Sequence, residues 1–282
     1  MTRLSSLVGG LCLALAVAGS AEAQQRPLVT EDPEPIGAGR VLLEGGIDYA
    51  ADMQYPVSGL QGNLWRVPML GISVGISSIA ELQLDGGLFD HLSITKRNPA
   101  PLAHLVTVTG DSTHAVDDLV VATKIRFLSE TDSRPAFAIR FATKLPNASN
   151  ESGLGTDTTD FYASVLGAKT VRSLRTVANL GLGIVGDPSN GERQNDMLTY
   201  GVSFARAMTQ KAELVGEVNG RISTRSDPFP GGESRGLLKF GGRYTQGLLR
   251  IDAGLFFGLN TPDPTIGFTA GFTYVFDAFK IP

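Results

Sequence analysis

The 282-residue chain contains a single cysteine, Cys12, and relatively few charged residues. Because one thiol cannot form an intramolecular disulfide, no disulfide framework is available to stabilise the fold. Charged residues make up 18% of the chain, compared with about 25% in ordinary soluble domains. The formal net charge is −4, and the sequence has no run of lysine or arginine of the kind that binds nucleic acid. We therefore expect no nucleic-acid partner.

Long uninterrupted apolar segments are also missing. The apolar stretch at residues 7–18 is too short to cross about 30 Å of hydrocarbon as a helix. It follows a basic residue, Arg3, and precedes an A-x-A sequence that ends at Ala23. This order of basic, apolar and small residues is typical of a secretory signal peptide. We therefore predict a signal peptide over residues 1–23 and export of a chain that contains no cysteine.

Glycine is abundant instead, with 34 residues. From residue 40 onward, apolar and polar side chains alternate in segments that are separated by breaks. A β-strand directs successive side chains to opposite faces, so each segment predicts a strand with one apolar and one polar face. The clearest example is the stretch 265–276, where Phe268, Phe272 and Phe276 alternate with small or polar residues.

Two folds fit such strands. The apolar faces are buried in a soluble sandwich, whereas they contact lipid in an outer-membrane barrel. The breaks between strands decide between the two, because they alternate in length. The long breaks lie near 52–63, 94–116, 147–159, 187–196, 223–233 and 259–264, and the short ones near 77–80, 129–135, 172–175, 208–211 and 245–247. Long outer loops that alternate with short periplasmic turns are typical of outer-membrane barrels.

The sequence therefore predicts an all-β fold. We expect a transmembrane antiparallel β-barrel of about twelve strands in the bacterial outer membrane, formed by residues 40–276. The proline-rich residues 24–39 are predicted to form a periplasmic N-terminal arm, and whether they enter the barrel cannot be decided from the sequence. Residues 277–282 are predicted to form a C-terminal tail. A bulge is expected at Pro68, because proline has no N–H to donate to the neighbouring strand.

Charged side chains share one phase of each strand. A lysine or arginine at the lipid-facing midplane costs about 2–4 kcal/mol, so the charged phase is predicted to face the lumen. The residues predicted to line the lumen and set its selectivity are Glu44, Asp48, Glu81, Asp85, Lys124, Arg126, Arg140, Lys144, Lys239, Arg243 and Arg250. Opposed acidic and basic walls would orient a polar or anionic solute. The alternative is that these charges pair with each other across a filled interior.

Candidates for catalysis and metal binding are few. His91 and Ser93 lie two residues apart, a spacing that is similar to the His–Ser arrangement of outer-membrane phospholipase A. Nucleophilic catalysis also needs a group that orients the base. In addition, the alternation predicts that His91 faces the lumen, as Asp85 does, whereas a lipase site faces lipid. The spacing of His91, His104 and His114 matches no compact metal motif. We predict no catalytic residues, no metal site and no cofactor.

Several short segments resemble the outer-membrane family named for the meta-pathway of phenol degradation. They are RPLVTEDP (26–33), the glycines and LLE of 37–44, VPMLGI (67–72), AELQ (80–83), KLP (144–146), GLGTD (153–157), TDF (159–161) and NLGLG (179–183). The resemblance implies an outer-membrane barrel that passes small, often aromatic or hydrophobic molecules. The last strand, with Gly271, Tyr274 and Phe276, also resembles the signal that the barrel-assembly machinery recognises.

These observations predict a channel or transporter of the Gram-negative envelope, with outer-membrane lipid and a small-molecule solute as its partners. Uptake of aromatic compounds is the expectation that comes from the family resemblance. The alternatives are a filled barrel with a structural or adhesive role, or an outer-membrane lipid hydrolase that uses His91 and Ser93.

Overall fold

The computed structural model describes residues 26–280, so the predicted signal peptide lies outside the described residues. The strands are β1 (Arg40–Tyr55), β2 (Leu60–Gly75), β3 (Ala80–Gly87), β4 (Asp90–Arg97), β5 (Ser112–Ala115), β6 (Val120–Leu128), β7 (Ala136–Lys144), β8 (Asp160–Val171), β9 (Leu174–Gly186), β10 (Gln194–Ala207), β11 (Ala212–Ser223), β12 (Arg235–Gln246), β13 (Leu249–Gly258) and β14 (Ile266–Asp277). A short 3₁₀-helix covers Ala103–Leu105. Within residues 26–280, no helix has the length and apolar character needed to cross a membrane.

The strands close into a barrel, because β1 pairs antiparallel with both β14 and β2. Two wall strands are interrupted. One consists of β3 and β4, which pair with successive halves of β2, and the other consists of β5 and β6. With these interruptions, the closed antiparallel barrel has 12 strands. The predicted all-β barrel is therefore confirmed.

The outer surface of the barrel is apolar. Phe127, Leu182 and Val202 are 64%, 60% and 55% exposed, although all three lie within strands. The opposite phase of the strands holds small or polar residues that face inward, such as the buried Ser203 and Thr273. An apolar exterior around a polar interior is the arrangement of a barrel that stands in lipid.

The predicted bulge at Pro68 is also present. The ladder between β1 and β2 slips between Gly46 and Asp48, opposite Val67 and Pro68. At the same point β2 changes its other neighbour, from β4 to β3. The missing N–H of proline is thus placed where the ladder is already interrupted.

The connections alternate less regularly than predicted. At one end of the barrel the connections are 56–59, 98–111, 145–159, 187–193, 224–234 and 259–265, and at the other end they are 76–79, 129–135, 172–173, 208–211 and 247–248. Because outer-membrane barrels have short periplasmic turns and longer outer loops, we assign the first set to the outer side and the second to the periplasm. The long loop predicted at 52–63 is wrong, since β1 and β2 continue to Tyr55 and Leu60 and pair up to that point. Polar residues such as Gln54 and Gln61 interrupt the apolar phase there, but strand pairing depends on backbone groups and continues.

Candidate functional site in the barrel lumen

The N-terminal segment (residues 26–38) lies inside the barrel, in its periplasmic half. Its backbone is held by carboxylates of the barrel wall. Glu217 accepts hydrogen bonds from the N–H of Val29 and of Thr30, the latter at 2.8 Å. Glu81 accepts a hydrogen bond of 2.7 Å from the N–H of Ile36. An irregular segment inside a barrel needs such partners, because its buried N–H groups have no neighbouring strand.

The acidic side chains of this segment bind cations of the wall. Glu31 pairs with Lys124 and Arg140, Asp32 with Arg175, and Glu34 with Arg126. Arg175 donates from Nη2 to Oδ1 of Asp32 at 2.7 Å and from Nε to Oδ2, which is a two-point contact. Such paired hydrogen bonds are among the stronger ionic contacts in proteins. The segment and the basic side of the lumen are therefore complementary in charge.

Lys124 is the most deeply buried of these cations, with an exposed fraction of 0%. Its ammonium group lies 3.0 Å from Oε1 of Glu81 and 3.8 Å from Oε1 of Glu31, and it donates to the backbone oxygen of Asp32 at 2.9 Å. Glu81 and Glu31 are themselves buried. Lys124 thus compensates two carboxylates, one from the wall and one from the segment.

Glycines in the wall make room for the segment. A methyl group at Gly75 would come within 1.7 Å of the backbone oxygen of Gly37, and one at Gly201 within 2.8 Å of Oγ1 of Thr30. A side chain at Gly75 would force the backbone of the segment away from the wall, whereas one at Gly201 would crowd only the side chain of Thr30. The glycine content of these strands therefore has a packing role.

The start of the segment is held in the barrel by contacts of Arg26. The guanidinium group of Arg26 lies against Gly46 and Gly271, which are paired across β1 and β14. It donates to Oγ1 of Thr269 at 2.9 Å, and its Nε lies 3.6 Å from Oδ1 of Asp252. The far end of the segment packs through Ile36, which forms a buried cluster with Leu42 and Val275.

Beyond the segment, toward the outer loops, the lumen contains a chamber of about 760 Å³. Leu28, Val29, Thr30 and Glu31 of the segment form its floor. A second cavity of about 260 Å³ lies among the outer loops. Both cavities are lined by Met53, Lys144, Tyr162, Arg221 and Arg235, so the two volumes adjoin. The chamber has the size of a small-molecule site.

The residues predicted to line the lumen divide into two groups. Asp48, Asp85, Arg140, Lys144 and Lys239 line the chamber. Glu44, Glu81, Lys124, Arg126, Arg243 and Arg250 lie closer to the periplasm, where most of them contact the segment or one another. Charged side chains of the lumen also form local pairs, such as Lys144 with Asp160 at 3.2 Å and Lys239 with Glu217 at 3.4 Å.

Sequence reasoning missed the acidic residues of the segment as partners of the wall. It also left Arg221 and Arg235 out of the predicted selectivity set, although both lie on the charged phase of their strands and line the chamber. The phase of each strand is a signal that identifies them as lumen residues. No pattern in the sequence indicates which lumen residues the segment covers.

His91 and Ser93 require a correction. Between them lies Leu92, which is 0% exposed and packs in an interior cluster with Leu60 and Leu64. His91 and Ser93 therefore face outward, because the break between β3 and β4 changes the phase that the alternation predicted.

The geometry around this pair lacks the contact that nucleophilic catalysis needs. The ring of His91 stacks on Phe89 with centroids 6.2 Å apart. In the part of the chain that the structure describes, no hydrogen bond joins His91 to Ser93, so the base does not contact the hydroxyl. Among the same described residues, no group of three or more His, Cys, Asp or Glu side chains is placed to hold a metal ion.

No protein-family model matches this sequence, and no curated protein matches it either. The structure is similar to that of an outer membrane channel from Pseudomonas putida F1, with 12% sequence identity, a TM-score of 0.59 and coverage of 87% of this chain and 98% of that chain. It is also similar to the NanC porin, with 8% identity, a TM-score of 0.51 and coverage of 86% and 100%. At such identities the similarity shows a shared fold. The closed barrel, its apolar exterior and these similarities together identify the chain as a β-barrel of the bacterial outer membrane.

Proposed function

We propose that this protein is an outer-membrane channel for small solutes, in which the outer chamber receives the solute and the N-terminal segment controls its passage to the periplasm. The observation that carries the proposal is the chamber itself, a volume of about 760 Å³ whose floor is the segment. The two similar structures, a channel and a porin, support the same conclusion.

The lining of the chamber supports solutes that combine an apolar body with a polar group. Apolar side chains on its wall include Met53, Leu64, Leu237 and Phe256, which alternate with the charged residues described above. Lys239 also lies over the ring of Phe256, with its ammonium group 5.9 Å from the centroid. The resemblance to the phenol-degradation family adds aromatic compounds to the proposal. A pocket of this kind fits a small ring better than a large sugar.

Ion flux through single barrels tests the proposal. The purified protein, inserted in planar bilayers, is expected to conduct. Arg140→Glu replaces a chamber cation that lies 3.5 Å from Glu31 and 3.8 Å from Asp85, so the permeability ratio should shift toward cations. Arg134→Glu makes the same charge change in an exposed periplasmic turn and should leave the ratio unchanged. Absence of conduction, together with unchanged solute uptake in cells that lack the protein, would contradict the proposal.

The filled periplasmic half of the lumen favours a second candidate, a barrel with a structural or adhesive role. In that case the outer loops, 98–111 and 145–159 above all, would carry the activity. Shortening these loops would then abolish attachment of cells to a surface, while solute flux would be absent in every variant. Flux through the wild-type protein would favour the channel.

A further inference from the structure

We propose that Arg221 and Arg235 form a binding site for the carboxylate of a small organic acid. As a statement about transport, this site rests on the proposed channel function, because it names the class of solute that the chamber holds. As a statement about binding, it stands on the geometry of the two arginines and is testable without any transport.

The two arginines lie side by side on the lumen face of neighbouring strands. Arg221 of β11 is directly opposite Arg235 of β12 in the antiparallel ladder. Both side chains line the chamber and the outer cavity, so they stand where the two volumes adjoin. Like charges that are directly opposite on one face of a sheet destabilise it. A bound anion between them would remove this repulsion.

Within residues 26–280, no carboxylate oxygen lies within 4.0 Å of a nitrogen atom of either guanidinium group. Arg221 donates to the backbone oxygens of Gly231 at 2.7 Å and Glu233 at 3.2 Å. Arg235 donates to the backbone oxygen of Gln54 at 3.1 Å. A guanidinium group has five N–H donors, so each arginine keeps donors for a ligand.

The carboxylates closest to the pair in sequence are bound elsewhere. Oδ2 of Asp263 accepts hydrogen bonds from the N–H of Gly236 at 2.9 Å and of Asn260 at 3.0 Å. Oε2 of Glu233 accepts one from the N–H of Gly231 at 2.9 Å. Asp263 and Glu233 act on Arg235, and Asp160 on Arg221, from distances beyond 4.0 Å. The pair therefore has no carboxylate in direct contact and keeps this place for the carboxylate of a ligand.

The other cations that line the chamber do have carboxylate partners. Arg66, Arg140, Lys144 and Lys239 each lie within 4.0 Å of at least one carboxylate oxygen. The Arg221–Arg235 pair is thus distinguished from its neighbours by its partners as well as by its position.

The chemistry of the pair and its surroundings defines the ligand. Two planar guanidinium groups match the two oxygens of a carboxylate, which arginine binds through paired hydrogen bonds. Apolar groups are close on both sides, with Met53 and Tyr162 lining both cavities and Leu237 lining the chamber. An inorganic anion would gain nothing from these apolar contacts, because it has no apolar surface. A small acid with an aromatic or aliphatic body satisfies both features.

Calorimetric titration of the purified, detergent-solubilised full-length protein tests the site. The probes are benzoate, its uncharged analogue benzamide, and inorganic phosphate. Benzoate is expected to bind, with benzamide and phosphate at least about tenfold weaker, a difference of about 1.4 kcal/mol. Equal binding of benzamide would overturn the assignment of a carboxylate. Equal binding of phosphate would overturn the assignment of an organic acid.

Three variants complete the test. Arg221→Gln with Arg235→Gln should weaken benzoate binding by about tenfold or more. Arg235→Gln alone, which leaves the contacts of Arg221 to the outer loop intact, should weaken it severalfold. Arg225→Gln removes the same charge from an exposed position that lines neither cavity and should bind benzoate as the wild type does. Unchanged affinity in both chamber variants would overturn the proposal.

Failure of this site and failure of the channel are distinguishable. A protein that binds benzoate through the two arginines but conducts no ions would retain the site and reject the channel. A protein that conducts, but whose benzoate affinity is the same in the wild type and the double variant, would retain the channel and reject the site.

Discussion

Deletion of residues 26–38 is expected to raise the single-channel conductance severalfold. The segment crosses the periplasmic half of the lumen and forms the floor of the chamber. Without it, the chamber loses its floor and opens directly toward the periplasm. Wall charges such as Glu217 and Arg175 would then face water, so the widened pore remains hydrated. Planar-bilayer recordings of the wild type and the deletion variant measure the effect.

A synthetic peptide of residues 26–38 provides the control for this deletion. Added to the periplasmic side of the deletion variant, it should reduce the current, because Glu31, Asp32 and Glu34 find their cationic partners again. The same peptide with lysine at these three positions should not block. Equal conductance of the wild type and the deletion variant would show that the segment does not limit flow.

Lys124→Met is expected to lower the free energy of unfolding by about 3–5 kcal/mol, the cost of breaking a buried ion pair on one side. Lys124 is 0% exposed and lies within 4.0 Å of both Glu81 and Glu31. Methionine fills a similar volume but leaves the buried Glu81 without a cation and leaves Glu31 with Arg140 alone. Urea-induced unfolding of the barrel in lipid vesicles measures the difference.

Two further variants identify the cause of this loss. Glu81→Gln combined with Lys124→Met should recover part of the stability, because the uncompensated charge of Glu81 is then absent. Lys169→Met breaks an ion pair of 3.4 Å with Glu130 at the periplasmic rim, where partly exposed pairs contribute about 0–1 kcal/mol. If Lys124→Met and Lys169→Met cost the same, burial of Lys124 is not the reason.

The barrel was predictable from the sequence because its signal is local and repeats. Each strand carries its own alternation, as in the stretch that contains Phe268 and Phe272, and each one independently indicates which face meets lipid. The bulge at Pro68 was predictable for a similar reason, since proline cannot complete the ladder. The short hairpin at 56–59 was predicted as a long loop because polar residues there interrupt the alternation that indicates a strand. The backbones of β1 and β2 nevertheless continue to pair.

The position of the N-terminal segment was not predictable, because it depends on contacts that are remote in sequence. Thr30 binds Glu217 and Asp32 binds Arg175, which follow 187 and 143 residues later in the chain. The segment has no periodicity of its own, and its prolines indicate only that it is neither helix nor strand. Gly75 and Gly201, which make room for it, look in the sequence like any other glycine of a barrel strand.

The candidate site was predictable in part, because the phase of each strand shows which side chains face the lumen. Strand phase placed residues such as Arg140 and Lys239 on the lumen side, and both line the chamber. Their partners were not foreseen, since Glu31 and the backbone of Pro27 reach them from the segment. The phase of His91 was predicted wrongly because the break between β3 and β4 reverses the alternation without a proline or a charge to mark it.

The role of the segment as the part that controls passage is tested most directly by tethering it to the wall. Cβ of Thr30 lies 3.4 Å from the Cβ position at Gly201, close to the 3.5–4.5 Å range of disulfides, and the chain has no cysteine besides Cys12. In the Thr30→Cys/Gly201→Cys variant, we measure solute flux into liposomes before and after reduction. We expect flux to be lost in the oxidised protein and to return when the disulfide is reduced. Equal flux in the two states, with the disulfide verified by mass spectrometry, would contradict it.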